Sequence, residues 1–342
     1  MVRNFSVILF LACILLSLVS SNSTNFYPLY KKIYAHIFST DETSSFLAIT
    51  DQVQTESELV QTNLVNNNLS LAQNHANKAA ALLTPTIITE ISEANEGIAD
   101  KLLTTVSDLQ KISSSSDEQR QLVNQLVTDI NATLGEAVVV RTQQGQQDDS
   151  SNFLESGIEF LRGIFGGGGQ ESNDKIELNS TTQPLAFADL VDSVLINYGN
   201  AYAVDFDMTN MSNMAMMGGN SSEMMTMSGN NSNMNMGPMN MSSSTMMNED
   251  NETKANYSLV DITDYQSAQA LAAKALEIFN VELKPMAPNN TTAFVTNLEN
   301  GLVQLNSSIR SKASPMDIMM IVHTQIHPNL LEAFNLGLRQ TN

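Results

Sequence analysis

The sequence predicts an all-α protein: two duplicated antiparallel bundles of the four-helix type, separated by a linker and interrupted by a disordered methionine-rich insertion. Three observations support this. Apolar residues recur at helical spacing over 28–140, without alternating runs typical of strands. A similar pattern returns 196 residues later. The segments that lack it are rich in Gly, Ser, Asn or Gln, as loops and linkers are.

In the first copy, three apolar stripes predict three helices. The stripes cover residues 60–82, 91–112 and 122–134. A Thr-Pro pair at 84–85 has the form of an N-cap followed by proline at the first helical position. A shorter segment, 27–38, is a candidate for the fourth helix that would complete a bundle.

The second copy repeats the pattern at a constant offset, which indicates an ancestral duplication. The identical residues fall mostly on helical core positions, and a fourth helix is predicted over 185–204. Convergence of alanine-rich amphipathic helices is the alternative origin of the likeness. The identities include Ala72 with Ala268, Lys78 with Lys274, Leu102 with Leu298, and Leu134 with Leu330.

The N-terminal segment has the form of a signal peptide. Arg3 supplies a positive charge, residues 5–19 are almost continuously apolar, and small residues precede Asn22. Cleavage near Ser21 would export the chain to the cell surface or beyond. Retention of the segment as a membrane anchor is the alternative. Because Cys13 is the only cysteine, the exported chain would have no disulfide.

Composition shifts divide the chain into a signal peptide, two bundles and a linker. The linker is rich in Gly, Ser and Gln, and its residues 153–165 are predicted to form a short amphipathic helix. This helix has a single Arg, so docking onto a bundle is favoured over binding to a membrane surface. The predicted boundaries are 1–21 for the signal peptide, 22–140 for the first bundle, 141–183 for the linker, and 184–342 for the second bundle with an insertion at 208–253.

The charge balance narrows the classes of partner. The 342 residues carry 36 Asp or Glu and 16 Lys or Arg, a formal net charge of −20. Binding to nucleic acid needs clustered cations, and binding to an anionic membrane does too, so both are disfavoured. Membrane contact is expected only if the N-terminal segment is retained. Abundant Asn-X-Ser/Thr sequences after residue 21 agree with a glycosylated surface protein.

The insertion concentrates the methionines of the chain. Fourteen of the 19 lie between 208 and 247, a stretch without Leu, Ile, Val or aromatic residues. A core segment would draw on those residues, so packing does not explain the methionines, and we expect disorder without a ligand. The methionines are Met208, Met211, Met214, Met216, Met217, Met224, Met225, Met227, Met234, Met236, Met239, Met241, Met246 and Met247.

Thioether sulfur is a soft, uncharged ligand that suits Cu(I) better than Zn(II), Mg(II) or Ca(II). The M-x-M and M-x2-M spacings can close small chelate rings. Such clusters resemble the methionine-rich tracts of periplasmic copper-resistance proteins and the extracellular tails of high-affinity copper transporters, and this resemblance implies copper handling. The tract lacks the histidines that often accompany such clusters, which argues against Cu(II) capture. The alternatives are a low-complexity glycosylated spacer and a reversible sink for oxidants.

A second candidate copper site lies on the last predicted helix. At 100° per residue, Met316, Met320, His323 and His327 share one arc at the flank of the core, where ligands would be partly exposed. A stripe that merely packs is the alternative. His75 lies in a core stripe and is predicted to be a buried or boundary histidine with satisfied hydrogen bonds.

No catalytic constellation is recognisable, so we expect no enzyme. The predicted function is an exported or cell-surface Cu(I)-binding protein for storage, buffering or delivery, with copper ions and an extracellular copper protein as the expected partners. The alternative is an extracellular structural or interaction protein whose tract is a spacer. A sensor-like ectodomain is a third reading, and it would need an output domain.

Overall fold

The computed structural model describes residues 42–144, 181–210 and 257–336. In these ranges all the regular structure is helical, which confirms the predicted all-α class. The predicted signal peptide, the segment 27–38, the linker helix at 153–165 and the tract from 211 onward lie outside the described residues. Within the described residues, no helix has both the length and the apolar character needed to cross a membrane.

The N-terminal helices form a bundle around a core that extends from Phe46 to Val138. Helix α1 packs on α2 and α5, α4 packs on α5, and α3 is a short helix beside α4. The helices are α1 (Glu42–Val65), α2 (Leu69–Leu82), α3 (Pro85–Ala94), α4 (Glu96–Gln110) and α5 (Asp117–Gln144).

The stripe predicted over 60–82 as one helix is wrong, because a turn at 66–68 divides it into α1 and α2. Asparagine is a poor helix former and tolerates the left-handed region better than most residues. Asn67 has φ 59°, and the side chain of Asn68 caps α2 by accepting from the Leu71 amide at 3.2 Å. The fourth helix of this bundle is therefore α1, most of which precedes the predicted stripe.

The predicted cap at the start of α3 is confirmed. The Thr84 hydroxyl accepts a hydrogen bond from the Ile87 amide at 3.4 Å, and Pro85 opens the helix. Proline costs nothing there because its missing N–H would have no partner inside the helix. Asn95 then ends α3, and its side chain caps α4. The stripe predicted over 91–112 as one helix is therefore wrong as well.

The C-terminal helices surround a second core that extends from Leu185 to Leu336. Two of its helices keep the offset of 196 residues from helices of the first bundle: α2 and α7 end at Leu82 and Ile278, and α4 and α8 begin at Glu96 and Thr292. The helices are α6 (Thr182–Ala201), α7 (Ile262–Ile278), α8 (Thr292–Arg310), α9 (Pro315–Ile321) and α10 (His327–Phe334), with short turns at Lys284–Met286 and Asn289–Thr291.

Two π-helical turns extend α7 and join α9 to α10. They cover Phe279–Leu283 and Val322–Ile326 and stand just before Pro285 and Pro328. A proline ring inside a helix clashes with the carbonyl four residues earlier and removes a donor. A wider turn, in which each N–H reaches back five residues, relieves that clash. The π turns therefore follow from the two prolines.

The two bundles pack against each other through α1 and α2 of the first and α6 and α7 of the second. Helix α1 contacts both α6 and α7, and α2 contacts α7. Polar side chains lie among these contacts, and they form a buried polar cluster.

Candidate functional site

The first cluster lies between the bundles and consists of Glu56, His75, Lys78, Asp264 and Gln266; we call it the inter-bundle cluster. His75 is fully buried on α2, with Nδ1 2.7 Å from Glu56 Oε2 and Nε2 2.9 Å from Gln266 Oε1. Lys78 donates to Asp264 Oδ1 at 2.6 Å and lies 3.5 Å from Glu56 Oε1. Charge-assisted hydrogen bonds thus join α1 and α2 to α7.

The surroundings of His75 give each of its ring nitrogens a hydrogen-bond partner. Asn63 donates to a carbonyl of its own helix and also to Gln266 Oε1 at 3.0 Å, so the amide oxygen of Gln266 faces His75. Burial alone raises the pKa of Glu56, but the hydrogen bond from His75 and the charge of Lys78 outweigh it and lower that pKa. Both nitrogens of His75 therefore have hydrogen-bond partners. The prediction of a satisfied buried histidine is confirmed, and neither ring nitrogen is left open to a metal.

Lys274, the duplicate of Lys78, faces a different set of groups. Burial of the carboxyl group raises the pKa of Asp51 to about 7. The charge of Lys274 opposes this rise, and the charges of Glu277 and Glu58 add to it. Burial, helped by the charge of Asp51, raises the pKa of Glu282 to about 7 as well. A cavity of about 260 Å³ with Glu58, Lys274 and Glu277 in its lining lies here, between α1 and α7. The ammonium of Lys274 is shared by several carboxyl groups, so the carboxyl groups of Asp51 and Glu282 bind protons near neutral pH.

The second cluster lies inside the second bundle and consists of Asp192, His323, His327 and Met208; we call it the histidine cluster. All four residues are buried. His323 Nε2 lies 2.9 Å from the carbonyl oxygen of Met208, and His327 Nε2 lies 3.3 Å from Asp192 Oδ1. The two rings are nearly perpendicular, with centroids 5.2 Å apart. Met208 packs on α6, where a Cβ added to Gly199 would sit 3.0 Å from its sulfur.

The structure places the predicted quartet differently from the helical wheel. Both histidines are buried, whereas Met320 is 36% exposed and Met316 is only partly buried against the core. The expectation of four partly exposed ligands on one arc is therefore wrong for the histidines. The discrepancy arises from the π turn over Val322–Ile326, because a rotation of 100° per residue holds only for a regular α-helix.

Met208 also departs from its prediction. The sequence assigns it to the disordered insertion, but it is 3% exposed within the second core, so that assignment is wrong. The hydrogen bond from His323 and the space left by Gly199 explain why a methionine is held there. The other thirteen methionines of the tract, from 211 to 247, lie outside the described residues.

The two flanks of the tract are attached at the same end of the second bundle. Before the tract, Met208 is fixed by His323 on the neighbouring helix. After it, the amides of Val260 and Asp261 donate to the carbonyl of Ala201, the last residue of α6, at 2.8 and 3.1 Å. The tract is thus an insertion between α6 and α7 whose ends are tied to folded structure.

In the part of the chain that the structure describes, no group of three or more His, Cys, Asp or Glu side chains is arranged to hold a metal ion. No family model matches the chain, and no curated protein or solved structure matches it either. The residues and their geometry therefore have to carry any functional argument.

Sequence reasoning missed the acidic partners of both clusters. Asp192 pairs with His327 but lies in a run of apolar residues on α6, and a charged residue in such a run is a signal of a buried partner. Glu56 and Gln266 gave no comparable signal, because their neighbours in sequence are polar. Their pairing depends on how the two bundles pack.

Proposed function

We propose that the protein is exported and binds Cu(I) at the cell surface for storage, buffering or delivery. One observation carries this proposal: residues 208–247 hold fourteen methionines and no Leu, Ile, Val or aromatic residue. A segment selected for packing would use those other apolar residues. A segment selected for thioether sulfur would look like this one.

The chemistry of thioethers supports Cu(I) over other common ions. Sulfur in methionine is soft, uncharged and not titratable, so it coordinates Cu(I) and binds Zn(II), Mg(II) or Ca(II) poorly. It also does not form disulfides, so it suits an oxidising environment outside the cell. The M-x-M pairs at 214–216, 225–227, 234–236 and 239–241 place two sulfurs close in sequence.

The attachment of the tract agrees with a binding role. Both flanks are held at one end of the second bundle by hydrogen bonds to main-chain carbonyl groups. The helices of that bundle pack around their own core, which includes Met208 but has no other described residue of the tract. A tract held in this way can bind ions without reorganising the bundle.

A titration with Cu(I) tests the proposal. The full-length protein is titrated under reducing conditions against a competing Cu(I) chelator and compared with a variant in which the thirteen methionines between 211 and 247 are replaced by glutamine. Glutamine keeps the length of methionine, and the variant tract stays polar. Met286→Gln, an exposed methionine outside the tract, is the matched control.

We expect the wild type and the Met286→Gln variant to bind several Cu(I) ions with equal stoichiometry, and the tract variant to lose most of them. Equal stoichiometry in the wild type and the tract variant would show that the tract is not the binding element. The alternative role, an extracellular structural module with a polar spacer, would then be favoured.

A further inference from the structure

The histidine cluster places two imidazoles and a carboxylate inside an otherwise apolar core. His323 is 5% exposed, and His327 and Asp192 are buried to a similar degree. Leucine, valine, isoleucine and aromatic residues form most of the surrounding core. Burying polar groups costs free energy unless each finds a partner, so such a group requires an explanation.

The hydrogen bond to Met208 determines which nitrogen of His323 carries the proton. A carbonyl oxygen can only accept, so Nε2 of His323 must donate to Met208 across 2.9 Å. Burial lowers the pKa of His323, and the nearby His327 lowers it further, so this position favours the neutral ring. A neutral ring with its hydrogen on Nε2 has a lone pair on Nδ1.

That lone pair has no hydrogen-bond partner within the described chain, although Nδ1 is buried. A buried acceptor without a partner destabilises the folded state, because it has lost the hydrogen bond it made to water. Histidines that bind metals commonly donate their other N–H to a backbone carbonyl, which fixes the ring and leaves the lone pair directed at the ion. His323 shows this arrangement, and its carbonyl partner belongs to the first methionine of the tract.

His327 supplies a second imidazole beside the first. Its ring centroid is 5.2 Å from that of His323, and Asp192 Oδ1 lies 3.3 Å from its Nε2. A carboxylate next to a histidine orients the ring and increases its basicity as a ligand. The cluster's His and Asp side chains are not arranged as the three-ligand or four-ligand group that Zn(II) requires, whereas Cu(I) accepts few ligands and binds imidazole and thioether.

We propose that His323, through Nδ1, and His327 bind one Cu(I) ion inside the second bundle, at the point where the methionine tract leaves it. Asp192 orients His327, and Met208 connects this site to the tract. The proposal rests on the proposed function, because the tract is the source of the ion. Since both rings are buried, this ion exchanges with a chelator more slowly than the ions on the tract.

His323→Gln tests this proposal in the full-length protein. The glutamine amide N–H can still donate to the Met208 carbonyl, but the variant has no ring nitrogen to coordinate an ion. His75→Gln is the matched control, since His75 is also buried but both of its nitrogens are bonded. Titrated with Cu(I) against a chelator, His323→Gln should bind one ion fewer than wild type and lose the slow phase of release, whereas His75→Gln should retain both.

Nitrogen NMR of the wild-type histidines provides a measurement that does not depend on the folding of a variant. Cu(I) is diamagnetic, so the Nδ1 resonance of His323 remains observable and should shift when the ion binds. Wild-type stoichiometry in folded His323→Gln, or a His323 Nδ1 resonance unchanged at saturation, would overturn the proposal.

The tract variant separates this proposal from the proposed function. One remaining Cu(I) ion in the tract variant, lost when His323→Gln is added, supports the buried site. If the tract variant loses most ions and His323→Gln has no effect in either background, the tract function is supported and the buried site is overturned. Undiminished stoichiometry in the tract variant refutes the tract function, and the effect of His323→Gln still decides on the buried site.

Discussion

Replacement of Lys78 by methionine tests how the two bundles are held together. The ammonium of Lys78 lies 2.6 Å from Asp264 Oδ1 and 2.6 Å from Asn197 Oδ1, both on the second bundle, and 3.5 Å from Glu56 Oε1 on the first. Methionine keeps the apolar stem of lysine and removes the charge. The variant therefore leaves two largely buried carboxyl groups without their shared cation.

The expected loss follows from these contacts. An ion pair at this distance has a Coulomb energy of roughly 6 kcal/mol at an effective dielectric constant of about 20, before any desolvation. Removing one member of a fully buried pair costs about 3–5 kcal/mol. Because the Lys78 side chain is 24% exposed, we expect a loss at the lower end, about 3 kcal/mol. For a folded unit of this size, that lowers the melting temperature by roughly 6–12 °C.

The loss should depend on pH with a defined sign. Burial raises the pKa of Asp264 above its ordinary value, and the charge of Lys78 opposes that rise. Without Lys78 the pKa of folded Asp264 rises further, so the folded variant binds a proton that the unfolded chain has already released. The stability of the variant therefore decreases as pH rises toward that folded pKa, and its deficit relative to wild type is smaller near pH 5 than near pH 8.

Urea unfolding followed by circular dichroism at both pH values measures the deficit. Lys101→Met is the control, because Lys101 and its partner Glu136 are half-exposed and 3.8 Å apart. An exposed pair of this kind contributes at most about 1 kcal/mol. If Lys78→Met loses no more stability than Lys101→Met, or if its deficit is the same at both pH values, the bridging role of Lys78 is refuted.

Three further predictions follow from the structure. Asp51→Asn should stabilise the protein, and its gain in free energy of unfolding should grow by about 2 kcal/mol between pH 5 and pH 8. The reason is that the pKa of folded Asp51 is about 7, so its ionisation destabilises the folded wild type as pH rises. Gly199→Ala should cost about 1–2 kcal/mol by displacing the Met208 sulfur, and should cost little in a Met208→Ala background. Replacing 211–256 with a short Gly/Ser linker should leave helix content and melting temperature almost unchanged.

Unfolding curves check all three predictions, with the exposed Asp100→Asn as the control for Asp51→Asn. A gain for Asp51→Asn that does not change with pH would refute the assignment of its raised pKa. Additive losses for Gly199→Ala and Met208→Ala would show that their side chains do not meet. A large loss of helix in the linker variant would mean that the tract is part of the fold.

The all-α class and several helix ends could be predicted because they depend on local chemistry. Thr84 caps α3, and Pro85 has the fixed φ that suits a first helical residue; both signals are visible in the sequence. The shared register of α2 with α7 and of α4 with α8 follows from identities at core positions. In contrast, α1 and α2 were predicted as one helix because apolar spacing continues across 66–68, although the asparagines there form a turn.

The geometry of the candidate sites could not be predicted, because it depends on how distant elements pack. The burial of His323 and His327 follows from a π turn, and a helical wheel assumes a regular helix. The hydrogen bonds of His75 require Glu56 from one helix and Gln266 from the other bundle. Such pairings leave no trace in the spacing of a single segment.

X-ray absorption at the copper edge of the Cu(I)-loaded, full-length protein tests the central claim most directly, because it identifies the atoms bound to the metal. The thioethers of residues 208–247 predict a first shell dominated by sulfur, with a minor contribution of nitrogen from the histidine cluster. The sulfur contribution should disappear in the variant whose tract methionines are replaced by glutamine. A first shell of nitrogen and oxygen alone in the wild type would contradict the proposal that the tract binds copper through its methionines.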